Sequence, residues 1–275
     1  MSSTQLPSSV YPKSKLTRTE RLAIYIGERL NRPGILRNIS VWWGKVFTCS
    51  ILHKVTGHRW FHLHEERLSS ISEKSPILVV SNHRTFFDMY VGITALRYLS
   101  GYKLGAPSVF PVRSPFFYDH PFGIILNLIA SGGCMWPPVF RDQRRSELNP
   151  VSTEKMKELL KQEGVCFGFH PEGRRSKNLD IYTLEPPKKG VGQLIEDAND
   201  QLVVIPLFIS GLSGDAKNEW SLRQKDKAQS HPLRFYWGQP RLANSYQGST
   251  LAIAQEVHQE IQDLAEEARQ AEASS

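Results

Sequence analysis

The sequence predicts an α/β fold: a single domain with a mixed, mostly parallel central sheet flanked by helices. Three observations predict it. Short apolar runs bounded by turn formers, at residues 77–80, 165–169 and 202–209, read as buried strands. Longer stretches of helical length lie between them, an apolar one at 86–99 and one from Asn149 to Gly164 that turns Met156, Leu159 and Leu160 inward. Alternating strand and helix is the pattern of a parallel sheet, and 275 residues with 40% hydrophobic content can bury one sizeable core.

Taken in order, residues 1–20 are rich in Ser, Pro, Thr and Lys, with no apolar core behind a basic start. A disordered tail is expected there rather than a secretory signal. Residues 21–56 are expected to form an amphipathic helical segment, possible membrane association included. Within it Ile35, Ile39, Trp42, Trp43, Val46 and Phe47 recur at helical spacing, with Arg37, Asn38, Lys45 and Ser50 between them. The run carries charges and is too short for a clean transmembrane helix. Two readings stay open: a helix lying in the headgroup layer, or one packed on the domain's own core, because periodicity identifies an apolar face without naming what covers it.

The α/β domain proper is expected over 57–247, with a C-terminal helix at 248–275 packed on it. A strand over 57–64 puts His62 and His64 on one face. No acidic or thiol spacing accompanies them, and Leu68 stands where a zincin motif opened by His64-Glu65 needs its second His. A strand is expected within 103–112, then an irregular crossing with Pro107, Pro111, Pro115 and Pro121, and a buried helix at 122–129. Gly132-Gly133 ends that helix, and a strand over 134–140 leads to Arg141. Asn149 and Pro150 read as cap and first position of the next helix. A strand at 233–237 follows, and Ala254, Val257, Ile261, Leu264 and Ala268 form one stripe of the last helix.

Net charge of +7 and a pI near 9.3 point to an anionic partner, and the absence of RNA-binding or zinc-finger signatures favours an anionic membrane surface or an acidic donor protein over nucleic acid. Cys49, Cys134 and Cys166 lie far apart with no Cys-x-x-Cys, which argues against a disulfide framework or a zinc site and suits a reducing compartment.

Two loops carry the chemistry. Asn82-His83-Arg84-Thr85-Phe86-Phe87-Asp88 joins a strand end to a helix start. There His83 can meet Asp88, giving an imidazole held in one tautomer and able to take a proton from a hydroxyl. The structural alternative is a capping Asn82, a loop His and an Asp favoured by the helix dipole. The second loop, His170-Pro171-Glu172-Gly173-Arg174-Arg175-Ser176, presents two Arg past a strand end, and a guanidinium fork suits phosphate.

Together these loops resemble those of the glycerolipid acyltransferase family. Its Asn-His-x4-Asp block matches Asn82, His83 and Asp88, and its Phe-Pro-Glu-Gly-Thr-Arg-Ser block matches residues 170–176, with His170 in place of Phe and Arg174 in place of Thr. Pro138-Val139-Phe140-Arg141 resembles a third block and Val203-Val204-Ile205-Pro206-Leu207 a fourth, all in the family's order.

The resemblance implies transfer of an acyl group from acyl-CoA or acyl carrier protein to a phosphorylated glycerol acceptor, by default 1-acyl-glycerol-3-phosphate, giving phosphatidate. His83 would be the base and Asp88 its partner. Arg175 would bind the phosphate, with Glu172 and Gly173 shaping its loop, and Arg141 and Lys189 would add to the substrate site. No metal and no cofactor are expected, and the protein would work peripherally at the cytoplasmic face of a membrane. Rival readings are another lysophospholipid or alcohol as acceptor, a non-catalytic module for anionic lipid, and an esterase using Ser213. Against the last, Asp215 stands where the Gly-x-Ser-x-Gly elbow needs its final Gly.

Overall fold

Branched apolar runs supply the strands. The structure, a computed structural model, describes residues 10–101, 103–104, 107–223 and 231–274. Its strands are β1 (Trp60–Leu63), β2 (Ile77–Ser81), β3 (Ser108–Arg113), β4 (Met135–Val139), β5 (Cys166–Phe169), β6 (Val203–Ser210), β7 (Leu233–Trp237) and β8 (Arg241–Leu242). The helices are α1 (Arg18–Asn31), α2 (Ile35–Trp43), α3 (Ser50–Thr56), α4 (Asp88–Leu99) and α5 (Ser114–Phe117). They continue with α6 (Pro121–Ser131), α7 (Asn149–Leu160), α8 (Gly190–Glu196), α9 (Ala216–Ser221) and α10 (Thr250–Ala273). The architecture is the expected α/β one, with parallel strand pairs outnumbering antiparallel ones and helices flanking the strands. Strand β8 and the short helices α5 and α9 add to what the sequence pattern predicts, while α1 falls largely within the helical segment expected over 21–56.

The chain forms two compact units. The larger takes its residues from Cys49–Ser108 and Leu160–Ser275, the smaller from Met1–Thr48 and Val109–Leu159. Residues 109–159, expected inside the α/β block, thus group with the N-terminal segment.

In the larger unit β2 runs between β5 and β6, parallel to both, with Ile77 opposite Cys166 on one side and Val203 on the other. All five residues of β2 and all eight of β6 are buried, which explains their continuous apolar sequences. Strand β7 pairs antiparallel with β6 and parallel with β1, and β8 pairs antiparallel with β6. Residues 88–97 of α4 are buried throughout. The helix lies close on the sheet at Gly168, where an added Cβ would sit 2.1 Å from the Met89 sulfur. Helix α10, capped by Ser249 accepting from the Ala252 amide, buries Ala254, Val257, Ile261, Leu264 and Ala268, the stripe read from sequence. His62 packs between aromatic neighbours, stacked 5.0 Å from the Phe235 ring, and burial lowers its pKa to about 4. His64 instead hydrogen-bonds Glu267 at 2.7 Å.

In the smaller unit β3 and β4 run parallel. Residues 1–9 of the expected tail lie outside the described residues. From residue 10 onward the expectation of disorder fails: Tyr11 is buried and bonds the Ser152 hydroxyl at 2.9 Å, and Thr17 caps α1 in a capping box with Glu20. Two aromatic and acidic anchors thus order a segment whose composition is that of a linker.

The segment 35–52 breaks into α2, a π-helical stretch Gly44–Cys49 and the start of α3. It turns polar side chains inward and apolar ones outward. Arg37 and Ser40 are buried, whereas Ile35, Leu36, Ile39 and Trp42 are exposed, Ile35 at 79%. The Trp43 indole donates to the Ile129 carbonyl at 2.7 Å and the Thr48 hydroxyl to that of Ala130 at 2.7 Å, which holds this segment along α6. Helix α6, expected to be buried, exposes Phe122, Ile125 and Ile129. Uniform hydropathy along a helix does not reveal which side the chain covers. Asn149 does not act as a free cap either: it accepts from the Phe140 amide and donates to the Phe140 carbonyl, bracing the turn after β4. No helix among the described residues is long and apolar enough to cross a membrane.

Candidate active site

The site forms where β2 and β5 end side by side in the larger unit. Past Ser81 the chain is fixed by Asn82, whose side chain donates to the Ile209 carbonyl and accepts from the Ile209 amide, both at 2.9 Å. Asn82 therefore ties the loop to β6 and is not the cap of α4. Asp88 opens α4, where a helix dipole favours negative charge.

Asp88 is 2% exposed. Its Oδ2 accepts from the amides of Arg84 and Thr85, each at 2.7 Å, and from Nδ1 of His83 at 3.2 Å. Its Oδ1 accepts from the Thr85 hydroxyl at 2.6 Å. Burial alone would raise this carboxyl. The hydrogen bond from His83, the nearby His170 ring and the Thr85 hydroxyl outweigh it and hold the pKa below the usual carboxylate value. An ionised carboxylate can only accept, so Nδ1 of His83 carries a proton, and in the neutral ring the lone pair is on Nε2. The His83 side chain is 20% exposed, so that nitrogen belongs to a ring that substrate can reach.

Strand β5 delivers the second loop beside the first. The His170 ring lies face to face with that of His83, centroids 3.9 Å apart and planes within 5°. Its Nδ1 lies 3.0 Å from the Ser81 carbonyl, an acceptor, so that nitrogen is the donor. Burial, with the neighbouring His83, drives the His170 pKa down to about 3. Glu172 is buried, and its two oxygens accept from the amides of His83 at 2.8 Å and Glu185 at 3.2 Å. Burial raises its pKa to about 7 even though both amides pull it down. Gly173 has φ +68°, a left-handed conformation that a side chain would strain.

Arg175 is exposed, and the amide of its neighbour Ser176 donates to the His83 carbonyl at 2.7 Å. Arg84 reinforces this link by donating from Nη2 to the Asn178 carbonyl at 2.8 Å. Arg174, which departs from the family pattern, pairs with Glu185 at 2.7 Å. Lys189 is exposed just before α8, and the neighbouring Lys188 amide donates to the Pro171 carbonyl at 2.8 Å. His83, Asp88, Glu172, Gly173 and Arg175 thus belong to one stitched pair of loops. Arg141 is exposed directly after β4, in the smaller unit.

His83, Asp88 and His170 bring ligand-type atoms within 4.8 Å of one another. They fit a metal poorly. The Asp88 oxygens are already filled by four donors, and parallel rings send their lone pairs out side by side instead of converging on a point. Ser213 spends its hydroxyl oxygen on the Asp215 amide and the Asn218 amide group, a turn acceptor ahead of α9.

Thr85 and Ser81 are the site residues missing from the sequence reading. Thr85-x-x-Asp88 has the spacing of a helix-start box, a signal that could have flagged Thr85. Nothing in the sequence signals that His170 stacks on His83.

Residues 62–210, more than half of the chain, match the family model described as Acyltransferase. The chain belongs to the acyltransferase family. Both loops of the site lie inside the matched region of this acyltransferase, as do β2, β5 and α4. Among solved structures it resembles the 1-acyl-sn-glycerophosphate (LPA) acyltransferase PlsC from Thermotoga maritima, with a TM-score of 0.51 and 15% identity. That similarity covers 91% of this chain and 95% of the other, and at this identity it speaks for the fold. No curated protein gives a significant match to the acyltransferase.

Proposed function

We propose that this acyltransferase moves a fatty acyl group from an acyl thioester, acyl-CoA or acyl carrier protein, to the free hydroxyl of a phosphorylated lysolipid, 1-acyl-glycerol-3-phosphate, giving phosphatidate. The observation that carries the reading is the His83–Asp88 hydrogen bond of 3.2 Å in a loop sewn to the one that bears Arg175. In the reaction the acceptor oxygen attacks the thioester carbonyl carbon while Nε2 of His83 takes the hydroxyl proton. The tetrahedral intermediate collapses, the carbon–sulfur bond breaks, and the thiolate leaves and takes up the proton. Ionised Asp88 keeps the proton on Nδ1 and stabilises the imidazolium that forms. Arg175 binds the acceptor phosphate from the second loop, with Lys189 adding charge.

The same reading places the protein at an anionic membrane surface on the cytoplasmic side, peripherally. Support comes from the outward face of α2 and α6, where Ile35, Ile39, Trp42, Phe122, Ile125 and Ile129 are exposed on neighbouring helices. An apolar patch with tryptophan, on a protein of net charge +7, suits the headgroup boundary of anionic lipid.

The test is product analysis by mass spectrometry after incubation of the protein with palmitoyl-CoA, or with palmitoyl-acyl carrier protein, and a panel of acceptors. Phosphatidate formed from 1-acyl-glycerol-3-phosphate supports the reading. Product from an unphosphorylated alcohol alone would redirect it, and no acyl product with either donor would remove it.

A further inference from the structure

We propose that His170 is a positioning residue for the catalytic base: its flat face holds the His83 ring in the plane that aims Nε2 at the acceptor hydroxyl. The inference rests on the proposed role of His83 and deepens it.

One hydrogen bond leaves the orientation of a ring undetermined. The Asp88 carboxylate fixes a single atom of the His83 ring, Nδ1, at 3.2 Å. A bond at one point still lets the ring swing about it, and a swing of the ring carries Nε2 away from its target. A second flat ring 3.9 Å away and within 5° of parallel closes off that movement on one face. His170 is in turn held by the Ser81 carbonyl at 3.0 Å and lies 3.3 Å from the Ser81 hydroxyl, at the end of the fully buried β2. The base is therefore braced from two sides, by an edge contact from Asp88 on α4 and a face contact from the end of β5.

The chemistry of the brace matters as well. During transfer His83 becomes an imidazolium, and a charged neighbour on its face would oppose that step. Burial holds the His170 pKa near 3, so the brace stays neutral while the base cycles. A neutral ring face is also a favourable place for the charge that forms. The aromatic ring, rather than its nitrogens, makes this contact. Phe, which stands at this position in the family block, would keep the face and lose only the tether to Ser81.

His170→Leu and His170→Phe separate shape from volume. Leu fills the space without a flat face, and Phe restores the face. With palmitoyl-CoA and 1-acyl-glycerol-3-phosphate as substrates, His170→Leu is expected to lower kcat by about 10- to 100-fold, since misplacing a reacting group by about an ångström costs that much. KM for both substrates stays within about twofold, because the brace touches neither. His170→Phe is expected to recover most of kcat. A general packing role predicts instead that both variants lose kcat and thermal stability together. Equal kcat in Leu and Phe variants, or wild-type kcat in the Leu variant, would overturn the inference. The His83→Ala protein is the control: if it turns over normally, the base assignment falls and this inference with it. If it is inactive and the Leu variant is unimpaired, only the role of His170 falls.

Discussion

At the residue scale the account turns on how a buried carboxylate stays ionised. Asp88 is out of solvent yet takes four hydrogen bonds, two of them from Thr85. Thr85→Val keeps the amide bond and deletes the hydroxyl one at 2.6 Å, leaving the Oδ1 acceptor unsatisfied. The expected result is a loss of about tenfold in kcat with little change in KM, read from steady-state kinetics, because a weakened Asp88 holds the His83 tautomer less firmly. On the proposed reading Arg175 acts on binding and not on the chemical step. Arg175→Ala should raise KM for 1-acyl-glycerol-3-phosphate by about 10- to 100-fold and leave KM for the acyl donor unchanged, the scale of a charge-assisted hydrogen bond. An unchanged acceptor KM would take Arg175 out of the phosphate site. The spacing of His83 and Asp88 showed that the two can meet, since strand–loop–helix geometry brings such positions together, whereas Arg175 was singled out by the resemblance of its loop. It did not show Thr85's hydroxyl bond or the His170 stack, which depend on rotamers and on two loops meeting across strands distant in the chain.

At the element scale the informative case is α2. Its periodicity was readable, and its partner was not: Arg37 and Ser40 turn inward while Ile39 and Trp42 face out. An amphipathic pattern carries no sign, because the polar side can be satisfied by backbone carbonyls, as Ser40 is by that of Gly132. The same blindness made α6 look buried. Strands β2, β5 and β6 were legible for the opposite reason, being covered on both faces and so apolar throughout. If the outward face of α2 meets lipid, the double variant Ile39→Glu, Trp42→Glu should bind liposomes containing anionic lipid at least about tenfold more weakly, the cost of two lost apolar burials. Its thermal unfolding should be unchanged, since neither side chain is covered in the fold. Undiminished liposome binding would remove α2 from the membrane contact.

At the scale of the whole molecule, buried ionisable groups set the response to pH. His62 is held neutral among Phe235 and Trp237, its pKa lowered from 6.5 to about 4 by burial. A depressed folded-state pKa means that the unfolded chain binds the proton first, so stability is full above about 6.5 and is lost as pH falls toward 4. His170 acts in the same direction, and Glu172, raised to about 7, acts against both by favouring its protonated form as pH falls. His62→Phe should therefore flatten part of the fall in melting temperature between pH 6.5 and 4, measured by calorimetry. An unaltered slope would show that His62 is not buried neutral. The fold and its α/β class were legible from alternation alone, whereas the grouping of residues 109–159 with the N-terminal segment depends on long-range packing that no local pattern encodes. The central claim remains that His83, set by Asp88, is the base of acyl transfer. Its most direct test is turnover of labelled palmitoyl-CoA with 1-acyl-glycerol-3-phosphate by the His83→Ala protein, with circular dichroism to confirm that it folds. The account predicts a loss of at least about a thousandfold in kcat in a folded protein; a folded His83→Ala protein that transfers acyl groups at the wild-type rate would contradict it.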